Sequence, residues 1–212
     1  MTMIKKNLKT MIITSVVILL PILVGVCLWD QLPESVATHF DSNGNPDGWS
    51  PKEFAVVGLP LLLLVVHWFC VAVTGTDPKH KNISDKMMLL VMWLCPVVSI
   101  FGCGSTYLYA LDDSANTTAM ASLLLGCIFL VIGNYLPKMK QSYTLGLKLP
   151  WTLESEENWN RTHRFGGYTF MIGGFIMMIA GFTQQFWLSI PALIIMSVLP
   201  TIYSYMLYKK GI

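Results

Sequence analysis

The sequence predicts an all-α integral membrane protein of six transmembrane helices with both termini in the cytoplasm. Three observations carry that prediction. The 212 residues are 54% hydrophobic and only 12% charged, against a charged share of about 25% in soluble domains. Six apolar stretches approach the roughly 20 residues a helix needs to cross about 30 Å of hydrocarbon. And 13 of the 14 Lys and Arg residues fall in segments that one six-helix path places on the same side, where short basic loops remain cytoplasmic.

The first span, Leu8 to Trp29, follows Lys5, Lys6 and Lys9. The same pattern, with Ser35 and Ala37 beyond it, also fits a cleaved signal. The apolar run is too long for a signal core, however, and Val26 before Cys27 spoils a lipoprotein site, so the helix is expected to stay. An outward loop from Asp30 to Glu53 leads to the second span, Phe54 to Thr74. A basic loop with Lys79, Lys81 and Lys86 precedes the third, Met87 to Tyr109, and a short acidic one with Asp112 and Asp113 precedes the fourth, Thr118 to Leu136. An inward loop from Pro137 to Phe165 holds Lys138, Lys140, Lys148, Arg161 and Arg164. Gly166 to Gln184 and Phe186 to Tyr208 are the last two spans, a tight hairpin turning at Gln184 and Gln185 and followed by Lys209 and Lys210. Only Lys52 falls outside, among Asp30, Glu34, Asp41, Asp47 and Glu53. All five cysteines lie in apolar runs and read as small hydrophobes, so neither a disulfide nor a thiolate metal site is expected. No strand pattern or internal repeat stands out.

The two long loops carry the information. The outward loop reads Leu-Pro-Glu-Ser-Val-Ala-Thr-His-Phe-Asp-Ser-Asn-Gly-Asn-Pro-Asp-Gly-Trp-Ser-Pro-Lys over 32–52, with Pro60 in the helix beyond. The inward loop reads Gly-Asn-Tyr-Leu-Pro-Lys-Met-Lys over 133–140, then Gly146, Pro-Trp-Thr-Leu-Glu-Ser-Glu over 150–156, Trp159 and Thr-His-Arg over 162–164. Together these motifs resemble the SdpI family of bacterial membrane proteins over about the whole chain. The resemblance divides it into an N-terminal region of unknown function, 1–75, built around loop 30–53, and an SdpI-type four-helix region, 76–212, with loop 137–165. It implies a bacterial cell-membrane protein that protects its producer from a secreted peptide toxin. It further implies, for some members, capture of a cytoplasmic DNA-binding repressor at the membrane, with no direct contact of the chain itself to nucleic acid.

In the outward loop, Asn43-Gly44 and Asp47-Gly48 are tight-turn signals. The spacing of Asp41, Asn43 and Asn45 is similar to a calcium loop, but Pro46 replaces the required Gly and Lys52 the bidentate Glu, so no metal is expected. His39, Phe40, Asp41, Asn43, Asp47 and Trp49 form the candidate toxin-facing set; for the ring-bearing members, His39, Phe40 and Trp49, headgroup anchoring is the plainer reading. In the inward loop, Thr152 is expected to cap a short helix running to about Arg164 along the membrane surface, anchored by Trp151 and Trp159. Glu157 and Arg161 then pair at i and i+4, and Trp159 shares a face with His163. Trp151, Glu154, Glu156, Glu157, Trp159, Arg161, His163 and Arg164 are the candidate repressor-docking set; a membrane-lying connector is the plainer alternative.

Inside the bilayer, ionisable groups are costly and mark function or pairing. His67 reads as a neutral ring bonded to a neighbouring helix, Asn134 as interhelical glue, and Gly102, Gly104, Gly126, Gly173, Gly174 and Gly181 as close-contact points. Other classes fare worse. Glu156, Glu157 and Arg161 spell Glu-Glu-x-x-x-Arg, which resembles the CAAX-type intramembrane proteases, yet it lies in a loop and the partner histidine motifs are missing, so no enzyme and no cofactor are expected. A transporter or channel is the stronger rival, weakened by the single intramembrane ionisable residue and the absence of paired broken helices.

The basic-residue asymmetry predicts that a reporter fused after Lys210 reads as cytoplasmic and one inserted at Asp113 as external. A C-terminal fusion active only outside the membrane contradicts the six-helix topology.

Overall fold

A computed structural model describes residues 3–41 and 44–212. Among the described residues, six helices are long and apolar enough to span a membrane: α1 Leu8–Cys27, α2 Phe54–Gly75, α3 Asp85–Leu111, α4 Thr117–Lys138, α5 Glu156–Thr183 and α6 Phe186–Lys209. Their surfaces expose Leu23, Phe69 and Phe182 to 64%, 67% and 72%. In water, each such side chain forgoes about 1.5–3 kcal/mol of burial; against lipid tails it forgoes almost none. The chain divides into two compact units, one of Met1–Gly75 with Met88–Ala121 and one of Thr76–Met87 with Ser122–Ile212.

In the first unit, polar side chains hold the helices to one another at backbone positions that lipid cannot satisfy. Ser99 Oγ donates to Ile18 O at 2.8 Å and Tyr107 OH to Pro21 O at 3.3 Å. Gly25 lets α1 approach α2, since a Cβ there would lie 2.6 Å from Val56 Cγ1. Pro60 has no N–H to give, and the helix ahead of it widens: Phe54–Gly58 is a π turn, with Leu59 N–H bonded to Phe54 O. Such bulges commonly accommodate a break in the i→i−4 ladder. Leu32, Val56, Cys103 and Tyr107 form one buried cluster and Val71, Met88 and Met92 another. His67 is fully buried, its Nε2 3.1 Å from Thr14 Oγ1 on α1, the interhelical bond expected for it.

The loop between α1 and α2 departs from expectation by forming a β-hairpin. Strands β1, Ser35–Phe40, and β2, Pro46–Pro51, pair antiparallel with Val36 opposite Ser50 and Ala37 opposite Trp49. Prolines at both ends of β2 disguise it, because Pro is tolerated at strand ends but depleted from strands generally.

In the second unit, α4 and α5 meet through glycines seven residues apart on both helices. A Cβ on Gly126 would lie 2.8 Å from Gly174 O, and one on Gly133 2.9 Å from Gly167 O. Two helical turns separate each pair, so all four face one seam. Gly173 meets Met196 of α6, and Met177, Ala192 and Met196 form the buried cluster beneath. In the first unit, a Cβ on Gly102 or Gly104 would meet nothing within 4 Å, so these two are not close-contact points. Asn134 is also corrected: it is exposed, and its Oδ1 accepts from Lys138 Nζ one turn on in its own helix at 3.3 Å. The turn between α5 and α6 falls at Gln184, left-handed at φ 56°, as the paired glutamines indicated.

Replacing Gly126 with Ala is expected to lower stability by about 1–3 kcal/mol, because the methyl group meets backbone that cannot rotate away. Gly102→Ala is expected to be neutral or to gain up to about 1 kcal/mol from helix propensity. Thermal unfolding of the two variants in detergent measures the difference; equal shifts contradict the seam.

Candidate functional site

The hairpin rests on a buried cation. Lys52 is 6% exposed, and its Nζ lies 2.9 Å from Glu34 Oε1, 3.4 Å from Trp29 O, 3.5 Å from Leu32 O and 5.0 Å from the Trp29 ring centroid. The last basic residue before α2 is therefore a clamp between the end of α1 and the foot of the hairpin. Sequence reading missed it, although Glu34 and Lys52 flank the paired residues Ser35 and Pro51. At the far end, Asp41 N–H bonds Asn45 O at 2.9 Å and its Oδ1 accepts Asn45 N–H at 2.8 Å. Gly44 supplies the positive φ of 88° that closes the turn. Asn43 lies outside the described residues. Asp47-Gly48 is not a turn but part of β2, where Gly48 leaves room for His39: a Cβ there would lie 2.8 Å from His39 Cβ.

The candidate residues then separate. Phe40 is half-buried against the Tyr109 ring, with centroids 4.9 Å apart. His39, Asp47 and Trp49 are exposed; His39 Nδ1 lies 2.5 Å from Asp47 Oδ1 and Trp49 is 56% exposed. An exposed pair contributes about 1 kcal/mol or less, so it fixes the shape of the surface more than its stability.

The second long loop is a folded substructure. Asp77, 2% exposed, receives four hydrogen bonds: Lys79 N–H on Oδ1 at 2.7 Å, and on Oδ2 the N–H groups of Tyr143 and Thr144, both at 2.9 Å, with Thr144 Oγ1 at 2.7 Å. Burial alone would raise its pKa; the bonds from Thr144, Lys79 and Tyr143 outweigh it and hold the carboxyl below its ordinary value. Gln141 extends the junction, accepting from Lys79 Nζ and donating to Thr152 O and Leu153 O, both at 2.8 Å.

Trp159 and His163 stack at 3.9 Å, on one face as expected, but inside this loop rather than on a membrane surface. Trp159 is fully buried, with Nε1 donating to Met139 O at 2.8 Å. His163 Nε2 accepts Leu147 N–H at 2.9 Å, which leaves the proton on Nδ1, 2.8 Å from Trp159 O; the hydrogen-bond network thus assigns a neutral ring. Gly146, at φ 103°, is the only residue type that fits, since a Cβ would overlap His163 Nε2. The expected surface helix is replaced by one turn, Pro150–Glu154, a break at Ser155, and then α5 running unbroken from Glu156 into its span. Ser155 caps α5 by accepting Asn158 N–H at 3.2 Å, and Thr152 reaches back to Leu149 N–H at 2.9 Å. Trp151 packs on Tyr205 and Tyr208 and donates to Ser204 Oγ at 2.7 Å. What remains accessible is Glu154, Glu156, Glu157, Arg161 and Arg164, with Glu157 and Arg161 paired at 2.5 Å.

A multi-pass membrane protein with a clamped hairpin after its first span and a folded loop before its fifth is the class these features define. Residues 138–204 match the SdpI/YfhL protein family, and residues 16–64 match a domain of unknown function, DUF1648. The chain is also similar to the immunity protein SdpI of Bacillus subtilis (strain 168), 25% identical over 211 residues that cover 96% of this chain and 98% of that one. No solved structure matches it. In its matched segments and across nearly its whole length, the chain is thus similar to SdpI-type membrane proteins. The two matched segments contain the hairpin and most of the folded loop, the parts that carried the resemblance.

Replacing Asp77 with Asn is expected to destabilise the protein by about 1–3 kcal/mol, since buried donors lose a charged acceptor. A lowered folded pKa stabilises above the unfolded value, near 3.8, and that stabilisation is lost as pH falls through the folded value. The gap in unfolding free energy between wild type and Asp77→Asn should therefore close below about pH 4; a gap independent of pH contradicts the charged junction.

Proposed function

We propose that this protein confers immunity against a secreted, membrane-active peptide toxin, with the hairpin as the toxin-facing surface. The observation that supports this best is the exposed face of His39, Asp47 and Trp49, held on a hairpin clamped at one end by Lys52 and closed at the other by Gly44. A large aromatic ring left in solvent on the same hairpin as a fixed His39–Asp47 hydrogen bond is the kind of anchor that dominates protein recognition. The similarity to an immunity protein across nearly the whole chain points the same way. The basic-residue asymmetry puts this hairpin outside the cell, where a secreted toxin arrives, and the folded loop inside.

On the inner side, the reading extends to a DNA-binding repressor held by Glu154, Glu156 and Glu157. A repressor needs basic surface to meet phosphate, and an exposed acidic cluster attracts that same surface. Trp159 and His163 take no part in this contact, being buried; they shape the loop that carries it.

Expression in a toxin-sensitive host, followed by challenge with secreted peptide toxins, tests the first part. Wild type should raise survival, and Trp49→Ala should lower the tolerated toxin concentration about tenfold, the effect of losing one interface anchor, at unchanged membrane levels. Unaltered resistance moves recognition off the hairpin. For the second part, reversing the three glutamates to Lys should abolish induction of the immunity operon and leave survival intact; induction that persists removes the acidic cluster as the docking site.

A further inference from the structure

In the second unit a groove of about 400 Å³ runs between α4, α5 and α6, lined by Phe129, Phe170, Leu193, Met196, Pro200 and the 146–149 segment. Ser197 and Thr201 also line it, but their hydroxyls donate to the carbonyls of Leu193 and Ser197 in their own helix at 2.7 Å. With those protons occupied, the wall is mostly apolar. Leu193 to Thr201 spans eight residues of α6, about 12 Å at the helical rise, which is most of the roughly 15 Å depth of one leaflet's hydrocarbon.

One end carries Lys148, the one charged side chain among the described residues that line the groove, and that charge is held in position. Leu147 N–H and Leu149 N–H on either side of it are fixed by His163 and Thr152, both at 2.9 Å. Lys148 Nζ donates to Thr144 O at 3.1 Å, which uses one of three N–H groups and leaves two for an anion. The buried Trp159–His163 stack and Gly146 thus serve to hold a cation at the mouth of an apolar channel. Basic pockets between membrane helices take anionic lipid headgroups.

We propose that this groove binds one anionic phospholipid, with an acyl chain along α6 from Thr201 to Leu193 and the phosphate on Lys148. The charge at the mouth selects the headgroup, and the channel length selects a chain from the adjacent leaflet. This site is separate from the hairpin and from the exposed glutamates, so it stands whether or not the toxin reading does.

The test uses the full-length protein in mild detergent, with thermal unfolding and native mass spectrometry under added phosphatidylglycerol, phosphatidylcholine of the same chains, or inorganic phosphate. Phosphatidylglycerol should be retained about fivefold better than phosphatidylcholine, the discrimination that one basic residue near a lipid surface supplies. Inorganic phosphate should have no effect. Lys148→Gln, at an exposed position, should bring the two lipids level, and Ser197→Trp, which fills the groove, should end retention of both. Equal retention by wild type means general lipid contact only and overturns the proposal. So does a full response to inorganic phosphate, a preference that survives Lys148→Gln, or lipid retention that survives Ser197→Trp.

Discussion

A polar group shut off from water must find its hydrogen bonds within the protein, so wherever this chain leaves a helix and is buried its polar groups must be satisfied by other parts of the molecule. That constraint explains where the costly side chains are. Asp77 gathers four donors, Gln141 ties the same segment to the turn at Thr152 and Leu153, and Lys52 caps carbonyls at the end of α1. Ser99 and Tyr107 attend to carbonyls of α1 along its length. Between α4 and α5, by contrast, contact is made through glycine, because apolar side chains gain little by leaving lipid for one another.

The same constraint turns two loops into surfaces. A loop whose backbone is pinned can present side chains in a fixed arrangement, and little ordering entropy then opposes binding. The hairpin presents Trp49 with the His39–Asp47 pair; the folded loop buries Trp159 and His163 and leaves its carboxylates and arginines in solvent. The chain is similar to a membrane immunity protein over nearly its whole length, and a pinned surface in each unit suits a protein that meets partners in water while living in lipid.

Much of this was legible in the sequence. Span lengths follow from bilayer thickness, so all six helices could be read from apolar runs, and local pairs such as Glu157 with Arg161 follow from helical spacing. The hairpin was not legible: its first strand has only Val36, Ala37 and Phe40 to bury, and its second is bounded by prolines. Asp77, Gln141 and Lys52 escaped because their partners lie far along the chain, where spacing says nothing. The seam between α4 and α5 was legible in part: Gly126 and Gly174 were read as close-contact points, while Gly133 and Gly167 were not. Its period is seven residues, two helical turns, and the pairing of the two helices is not visible in either one's own spacing. Asp77 did leave a local trace, as the Asx turn closed on Lys79 just after an apolar run ends.

Amide hydrogen exchange of the full-length protein in lipid nanodiscs measures most directly whether the two loops are built surfaces. If they are, the amides of Tyr143, Thr144, Leu147 and Leu149, each bonded to a named side chain, should exchange at least ten times more slowly than those of unstructured chain, since an exchange barrier of about 1.4 kcal/mol per tenfold is within reach of one such bond. The paired residues of the hairpin from Val36 to Ser50 should be protected to a similar degree. Exchange in both segments at the rate of unstructured chain would contradict the account, because it would make them flexible linkers that present no surface to any partner.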